Sequence, residues 1–271
     1  MCNACIIENV KSSMLSRRSL FRSSAAVGVA AMAAGLTTAK TALAQSSGKV
    51  VDLTHAYDRN FPTFDGKPGI EMEKVVDFAK DGYTIYKLTI FEHTGTHIDA
   101  PLHFTADGTS VADLEPANLV CPLCIIDIKA KAKDDGNAMV MKSDIEAWVS
   151  ANGEIPKGAC VAMNSGWAAK VAAPEYRNTP DGAFAFPGFS KEATDLLTEI
   201  GAASIGVDTL SLDPGNSKDF AVHYSWLPSG HYGIENLANL DSLPAKGATI
   251  FVGAPKHKAG TGGPARVMAM V

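Results

Sequence analysis

The sequence predicts a mixed α/β fold in a single domain spanning residues 45–271. Three observations point there. Apolar segments of strand length outnumber helical patterns, the helical patterns fall between strands, and no linker-like stretch divides the chain. Hydrophobic residues make up 46% of the 271 positions, ample material for one sizeable core.

The elements follow in order. Val50 to Leu53 reads as a short opening strand, and the Pro- and Gly-rich stretch 60–69 as a loop. Tyr83 to Phe91 alternates and is rich in β-branched and aromatic residues, which predicts a strand. Cys124 to Ile128 reads as a buried strand. Ser143 to Ala151 is expected to be a helix capped by Ser143, with Glu146 three residues on and Gly153 as its stop. Ala159 to Met163 is a buried strand. Ser190 to Ile200 is a second helix, opened by Ser190 and stopped by Gly201, and Ala203 to Val207 returns as a strand. Thr249 to Gly253 and Arg266 to Val271 close the domain as strands.

Residues 1–44 read as a removable export signal. Arg17 and Arg18 precede a mildly apolar stretch from Ala25 to Leu36, and Ala42-Leu43-Ala44 supplies a small-residue cleavage pattern. Paired arginines before such a run resemble a twin-arginine signal, which implies a periplasmic or secreted destination. Gly28, Gly35, Thr37 and Thr38 dilute the run below the ~20 apolar residues a membrane span needs, so no membrane association is expected after cleavage. Met14 would make a tidier start to this signal than Met1. The formal net charge of −5, with no long basic run after Lys49, argues against a nucleic-acid partner. Cys121 and Cys124 have redox-pair spacing, yet they open an apolar strand and are expected to be buried, unreactive thiols.

The chemistry concentrates in His93-Thr94-Gly95-Thr96-His97-Ile98-Asp99-Ala100-Pro101-Leu102-His103. Three histidines and an aspartate within eleven residues offer the imidazole and carboxylate donors that suit Zn and Mn. Thr-Gly-Thr and Pro101 disfavour a helix here. The motif is therefore placed on a turn leaving the preceding strand, where His97 and Asp99, two apart, share a face and Gly95 folds His93 back towards them. His103, past the proline, is placed to move protons near pH 7. His55 and His231 are candidates for the site's surroundings, and His257 for the solvated surface.

This stretch resembles the H-x-G-T-H-x-D-x-P-x-H signature of the cyclase family, which includes bacterial kynurenine formamidases and isatin hydrolases. The likeness extends to Asp52-Leu53-Thr54, Gly206-Val207-Asp208-Thr209, Ser211-Leu212-Asp213-Pro214 and Gly263-Pro264-Ala265-Arg266-Val267. The resemblance implies a swivelling β/β/α fold with a barrel-like β core, assembled as homodimers or homotetramers. It implies one or two divalent ions, Zn or Mn, held by His93, His97, Asp99, His223 and Glu235, with His103 in proton transfer. Isatin hydrolases carry glutamine at the late acidic position, so Glu235 favours the two-ion, formamidase-like arrangement.

The expected activity is hydrolysis of an amide, lactam or related cyclic or aryl amide of a small molecule. An isatin-type or lactone ring opening is the alternative reaction, and a non-catalytic periplasmic metal-binding protein the alternative class. An export signal fits poorly with the cytosolic kynurenine pathway. Phe61 and Phe64 stand where the formamidases carry a Trp-Pro-Gly run and are candidate substrate contacts. Trp167 and Trp226 are further candidate walls.

Overall fold

Period-two alternation along one strand organises the molecule. In Val120–Asp127, Cys121, Leu123 and Ile125 face one apolar core while Cys124 and Ile126 face another. A strand buried on both faces must lie inside a sheet with cover on each side. The computed structural model describes residues 48–271. The export signal expected over residues 1–44 lies outside the described residues.

The strands in chain order are β1 (Val50–Asp52), β2 (Ile70–Val76), β3 (Ile85–Ile90), β4 (His97–Asp99), β5 (Val120–Asp127), β6 (Met139–Val140), β7 (Cys160–Asn164), β8 (Gly188–Phe189), β9 (Ser204–Val207), β10 (Tyr232–Glu235), β11 (Ala248–Gly253), β12 (Gly262–Pro264) and β13 (Arg266–Met270). The helices are α1 (Phe78–Asp81), α2 (Lys129–Asp134), α3 (Lys142–Asn152), α4 (Lys191–Ile200) and α5 (Ala221–Trp226). Nine strands form one sheet in the order β1-β13-β11-β5-β7-β9-β10-β4-β12. The strands from β5 to β10 run parallel, and both flanks are antiparallel.

Helices α2 to α5 cover one face through Ala132, Ile145, Trp148, Leu197, Val222 and Trp226. The other face curls around a second core that joins Val51, Ile98, Ile125, Ile234, Ile250 and Val267, giving the half-barrel expected of the fold. Cys121 and Cys124 lie on opposite faces of β5, each buried and free, so the C-x-x-C spacing makes no redox pair. Burial drives both thiols up to about 11.

The helix ends are instructive. Ser190 caps α4 by accepting from Ala193 N at 3.2 Å, and Gly201 ends it in the left-handed region, as expected from the sequence. In α3 the expected Ser143 cap is not used. The helix begins one residue earlier, and the Asp144 carboxylate accepts from Met141 N at 2.7 Å. A carboxylate outcompetes a hydroxyl for exposed first-turn N–H groups, which explains the shift.

Strands β2 and β3 form a separate antiparallel ribbon. One face pairs Met72 with Leu88 and Lys74 with Tyr86, and the other pairs Glu71 with Thr89 and Glu73 with Lys87. The apolar side is open: Met72 is 53% exposed, Leu88 51% and Tyr86 47%. No helix of the described residues is long and apolar enough to cross a membrane.

Candidate metal centre

Sheet register brings the first ligands together. β10 pairs antiparallel with β4 so that Glu235 lies directly opposite His97. His97 and Asp99 share a strand face with Glu235, while Ile98 and Ile234 point into the core behind them. Gly95, at φ 67°, turns the chain just before β4 and brings His93 back over Asp99, Nδ1 to Oδ1 2.6 Å. His223, on α5, reaches the same spot from the helical layer.

The donors converge. His97 Nε2 lies 3.3 Å from Asp99 Oδ1 and 3.3 Å from Glu235 Oε2. His223 Nε2 lies 3.6 Å from Asp99 Oδ2 and 3.4 Å from Glu235 Oε1. The two histidines face different oxygens of the same two carboxylates, so Asp99 and Glu235 lie between them. His97 Nε2 is buried and, among the described residues, has no hydrogen-bond partner of good geometry. Its Nδ1 faces the Gly95 carbonyl at 2.9 Å and so donates to it, leaving the Nε2 lone pair turned towards two carboxylates. A buried nitrogen held against two anions calls for a cation there, a proton in the metal-free protein or a metal ion in its place. The residues present thus fit a divalent ion, and His97, Asp99 and Glu235 alone form a cluster of compatible ligand atoms, as do His93, Asp99 and His103.

Electrostatics agree. Burial disfavours charge on His97, but Asp99 and Glu235 outweigh it and lift the imidazole to about 10. His223 is also buried, and Asp213, Asp99 and Glu235 raise it well above its ordinary value. Burial pushes Asp99 up, yet His93, His223 and His97 hold its carboxyl well below the usual range. The pocket is therefore tuned for positive charge. His103 differs: burial lowers it to about 4, so its ring is neutral at pH 7. It stacks on His93 with centroids 3.8 Å apart.

The ligands are held from behind. Asp213 accepts from His223 Nδ1 at 2.6 Å and from the backbone N–H groups of Val222 and His223 at 2.9 and 3.1 Å. Glu235 accepts from Leu212 N at 3.0 Å. Asn236 donates to the Gly95 carbonyl at 2.9 Å, and Tyr176 in turn donates to Asn236 at 2.7 Å. Sequence reasoning quoted Asp213 without giving it a role, although an acid ten residues before a ligand histidine in a short loop is the available signal.

A pocket of about 300 Å³ opens over the cluster, walled by Phe64, Phe104, Leu210 and Phe220 with His93 and His103. Phe64 stands within this wall, while Phe61 lines a separate pocket with Tyr57 and Val171. Trp226 ends α5 and points into the core and Trp167 lies in a small cluster with Tyr176, so neither is among the residues lining the pocket. Phe104 and Phe220 were missed, because an isolated phenylalanine carries no signal separating core from pocket. His231 stacks on Trp226 at 4.4 Å. His55 stands beside Phe61 at 5.9 Å, and its backbone N–H is bound by Thr96 Oγ1. His257, expected in solvent, is half-exposed and bound to Glu92 at 2.6 Å.

A cluster of His, Asp and Glu side chains that could hold a metal ion, set in a curled mixed sheet beneath an aromatic-walled pocket, points to the class. Residues 51–214 match the Cyclase family, described as "Putative cyclase", and the chain belongs to that family. Isatin hydrolase of Roseibium aggregatum is 29% identical over 243 residues, which cover 82% of this chain and 92% of the relative. Kynurenine formamidase of Bacillus cereus is 28% identical over 190 residues, 69% of this chain and 81% of the relative. Among solved structures, isatin hydrolase A from Ralstonia solanacearum superposes with a TM-score of 0.79 at 30% identity, covering 90% of this chain and 100% of that one. Isatin hydrolase A from Labrenzia aggregata, bound to benzyl benzoate, gives 0.78 at 33% identity, covering 84% and 96%.

Proposed function

We propose that this protein is a metal-dependent hydrolase that opens a cyclic amide fused to, or carried by, an aromatic ring. The observation that carries the reading is the shared pocket: Asp99, His223 and Glu235 line it together with His103 and the rings of Phe64, Phe104 and Phe220. The near full-length likeness to isatin hydrolases supports a lactam over an open-chain formamide. Zn or Mn is the proposed ion, with His93, His97, Asp99, His223 and Glu235 as its ligands. Asp99 and the four residues around it are enough for one ion or two, and Glu235 keeps the two-ion arrangement open to test.

When bound, a divalent ion supplies Lewis acidity and a water of lowered pKa. Phe64, Phe104 and Phe220 hold a flat ring and keep bulk water from it. His103 takes the proton of the attacking water and returns it to the departing nitrogen as the C–N bond breaks and the new C–O bond forms. Asp213 holds His223 in place throughout.

The test is metal analysis of purified protein, followed by a screen of aryl lactams, formamides and lactones against metal-stripped and reloaded enzyme. His103→Ala should keep its metal and lose ~10²–10⁴-fold in kcat. Metal retained with activity unchanged would remove His103 from the reaction. Absence of turnover on every amide and ester class, with metal bound, would favour the binding-protein alternative.

Two further readings belong to the same proposal. The segment 1–44 is proposed to direct twin-arginine export to the periplasm or beyond, on the strength of Arg17-Arg18 and the small residues before Gln45. Replacing both arginines by lysine should hold a reporter fusion in the cytoplasm. The protein is also proposed to form homodimers or homotetramers, which the open apolar face of the β2–β3 ribbon supports. Light scattering of wild type and Leu88→Glu tests it, the variant being expected to dissociate.

A further inference from the structure

We infer that Glu92, acting through Thr261, determines which ring nitrogen of His93 faces the metal spot. The inference rests on the metal-site reading above and concerns a pair of residues outside the ligand set.

Glu92 ends the chain segment that leaves β3 and immediately precedes His93. The loop before β12 folds over its carboxylate. Thr261 N donates to both oxygens at 3.2 Å, the Thr261 hydroxyl donates to Oε2, and His257 Nε2 meets Oε1 at 2.6 Å. The approach is close enough to require glycine beside it. A Cβ on Gly262 would sit 2.8 Å from His93 Cε1, and one on Gly260 2.9 Å from Glu92 Oε1. Thr261 thus lies wedged between a carboxylate and an imidazole, with its Oγ1 3.0 Å from His93 Nε2.

The direction of each bond follows from counting protons. A threonine hydroxyl has one proton and a carboxylate has none to give. The Thr261 proton must point to Glu92, since the reverse would set an oxygen lone pair against an anion at close range. The Thr261 oxygen therefore offers His93 only a lone pair, and His93 Nε2 must carry the hydrogen. Nδ1 lies 2.6 Å from Asp99 Oδ1 and so donates to that carboxylate when no ion is bound; its proton is the one an ion would displace, because the Nε2 hydrogen is held by Thr261. His97 and His223 are set the opposite way: each gives its Nδ1 hydrogen to a rear acceptor, Gly95 O or Asp213 Oδ2, and presents Nε2. The three histidines would then bind as two Nε2 donors and one Nδ1 donor. Partners behind a ligand histidine fix its tautomer and ring plane, and losing one costs ~10–100-fold in metal affinity. Glu92 and Thr261 are thus positioning residues, and their effect is read on the imidazole itself.

The probe is zinc, with ¹⁵N-histidine protein and long-range ¹H–¹⁵N correlation, together with chelator-competition titration. In zinc-loaded wild type, His93 should show a protonated Nε2 and a metal-shifted Nδ1, and His97 and His223 the reverse. Thr261→Val removes the acceptor and should weaken zinc binding ~10–100-fold, while Thr261→Ser should restore most of the loss. Glu92→Gln lets an amide donate to Thr261, turns the hydroxyl proton towards His93, and should weaken zinc as Thr261→Val does. Circular dichroism melts establish that each variant is folded. If His93 binds zinc through Nε2, or folded Thr261→Val binds zinc as tightly as wild type, the inference is overturned and the metal reading stands. If wild type binds neither zinc nor manganese, the metal reading fails and takes this inference with it.

Discussion

Replacing Asp213 with asparagine should weaken metal binding without unfolding the chain. The carboxylate is buried and serves four donors at once: the His223 ring, His223 N, Val222 N and, at the longer distance of 3.5 Å, the Ser217 hydroxyl. An amide has a single oxygen. With nitrogen towards the ring, it donates to Nδ1 and forces the hydrogen onto Nε2, the atom needed by the ion. With nitrogen towards Val222, a cap bond of ~1 kcal/mol is lost from α5. The ring-side loss should lower zinc affinity ~10–100-fold, which corresponds to ~1.4–2.7 kcal/mol. At saturating zinc, the stabilisation conferred by the ion shrinks by the same amount. For a domain of this size that is a zinc-induced rise in Tm smaller by ~3–10 °C. Chelator competition and melting with and without zinc measure both numbers. Wild-type zinc affinity in the folded variant would refute the orienting role.

The metal-free protein should lose stability as pH rises. The folded pKa of His97 is raised to about 10, and that of His223 is raised too, so their contribution is complete below the unfolded value near 6.5 and disappears as pH climbs through about 10. Melts of stripped protein should therefore show a Tm falling between pH 6.5 and 10, and a flat or rising Tm there would contradict the pairing. Metal binding at pH 7 should release protons, which calorimetry in buffers of different ionisation enthalpy detects. Phe220 holds φ 51° at the pocket wall, a left-handed conformation costing a non-glycine residue ~1–2 kcal/mol. Phe220→Gly should relieve that strain while losing the ring, leaving stability within ~1 kcal/mol of wild type and raising KM for an aryl lactam ~10-fold. An unchanged KM would place the substrate elsewhere. Dithiothreitol should leave the melting curve unmoved, since Cys121, Cys124 and Cys160 are buried, free thiols.

Much of this was legible in the chain because local rules governed it. Alternation located β3, short apolar segments located β1, β7, β9, β11 and β13, and Ser190 with Gly201 bracketed α4. The turn at Gly95 and the shared face of His97 and Asp99 followed from residue types alone. What escaped was settled by distant partners. Strand β2 carries three charged residues among seven, and only pairing with β3 makes it a strand. The link from Glu235 to His97 is a matter of register between strands far apart in sequence, and a family signature supplied it where periodicity did not. Glu92 and Thr261, 169 residues apart, have no sequence signal of their own. The α3 cap moved because a neighbouring acid competed better than the expected serine.

The pairing of Glu235 with His97 reaches beyond the chemistry. Each lies on a strand only three or four residues long, near the rim of the sheet, where few backbone bonds hold alignment. A slip of one residue would turn Glu235 into the oily interior and bring Ile234 to the cluster. An ion gripped by both strands, as proposed, would act as a rivet: it would penalise every misaligned arrangement and so guard the geometry on which its own binding depends.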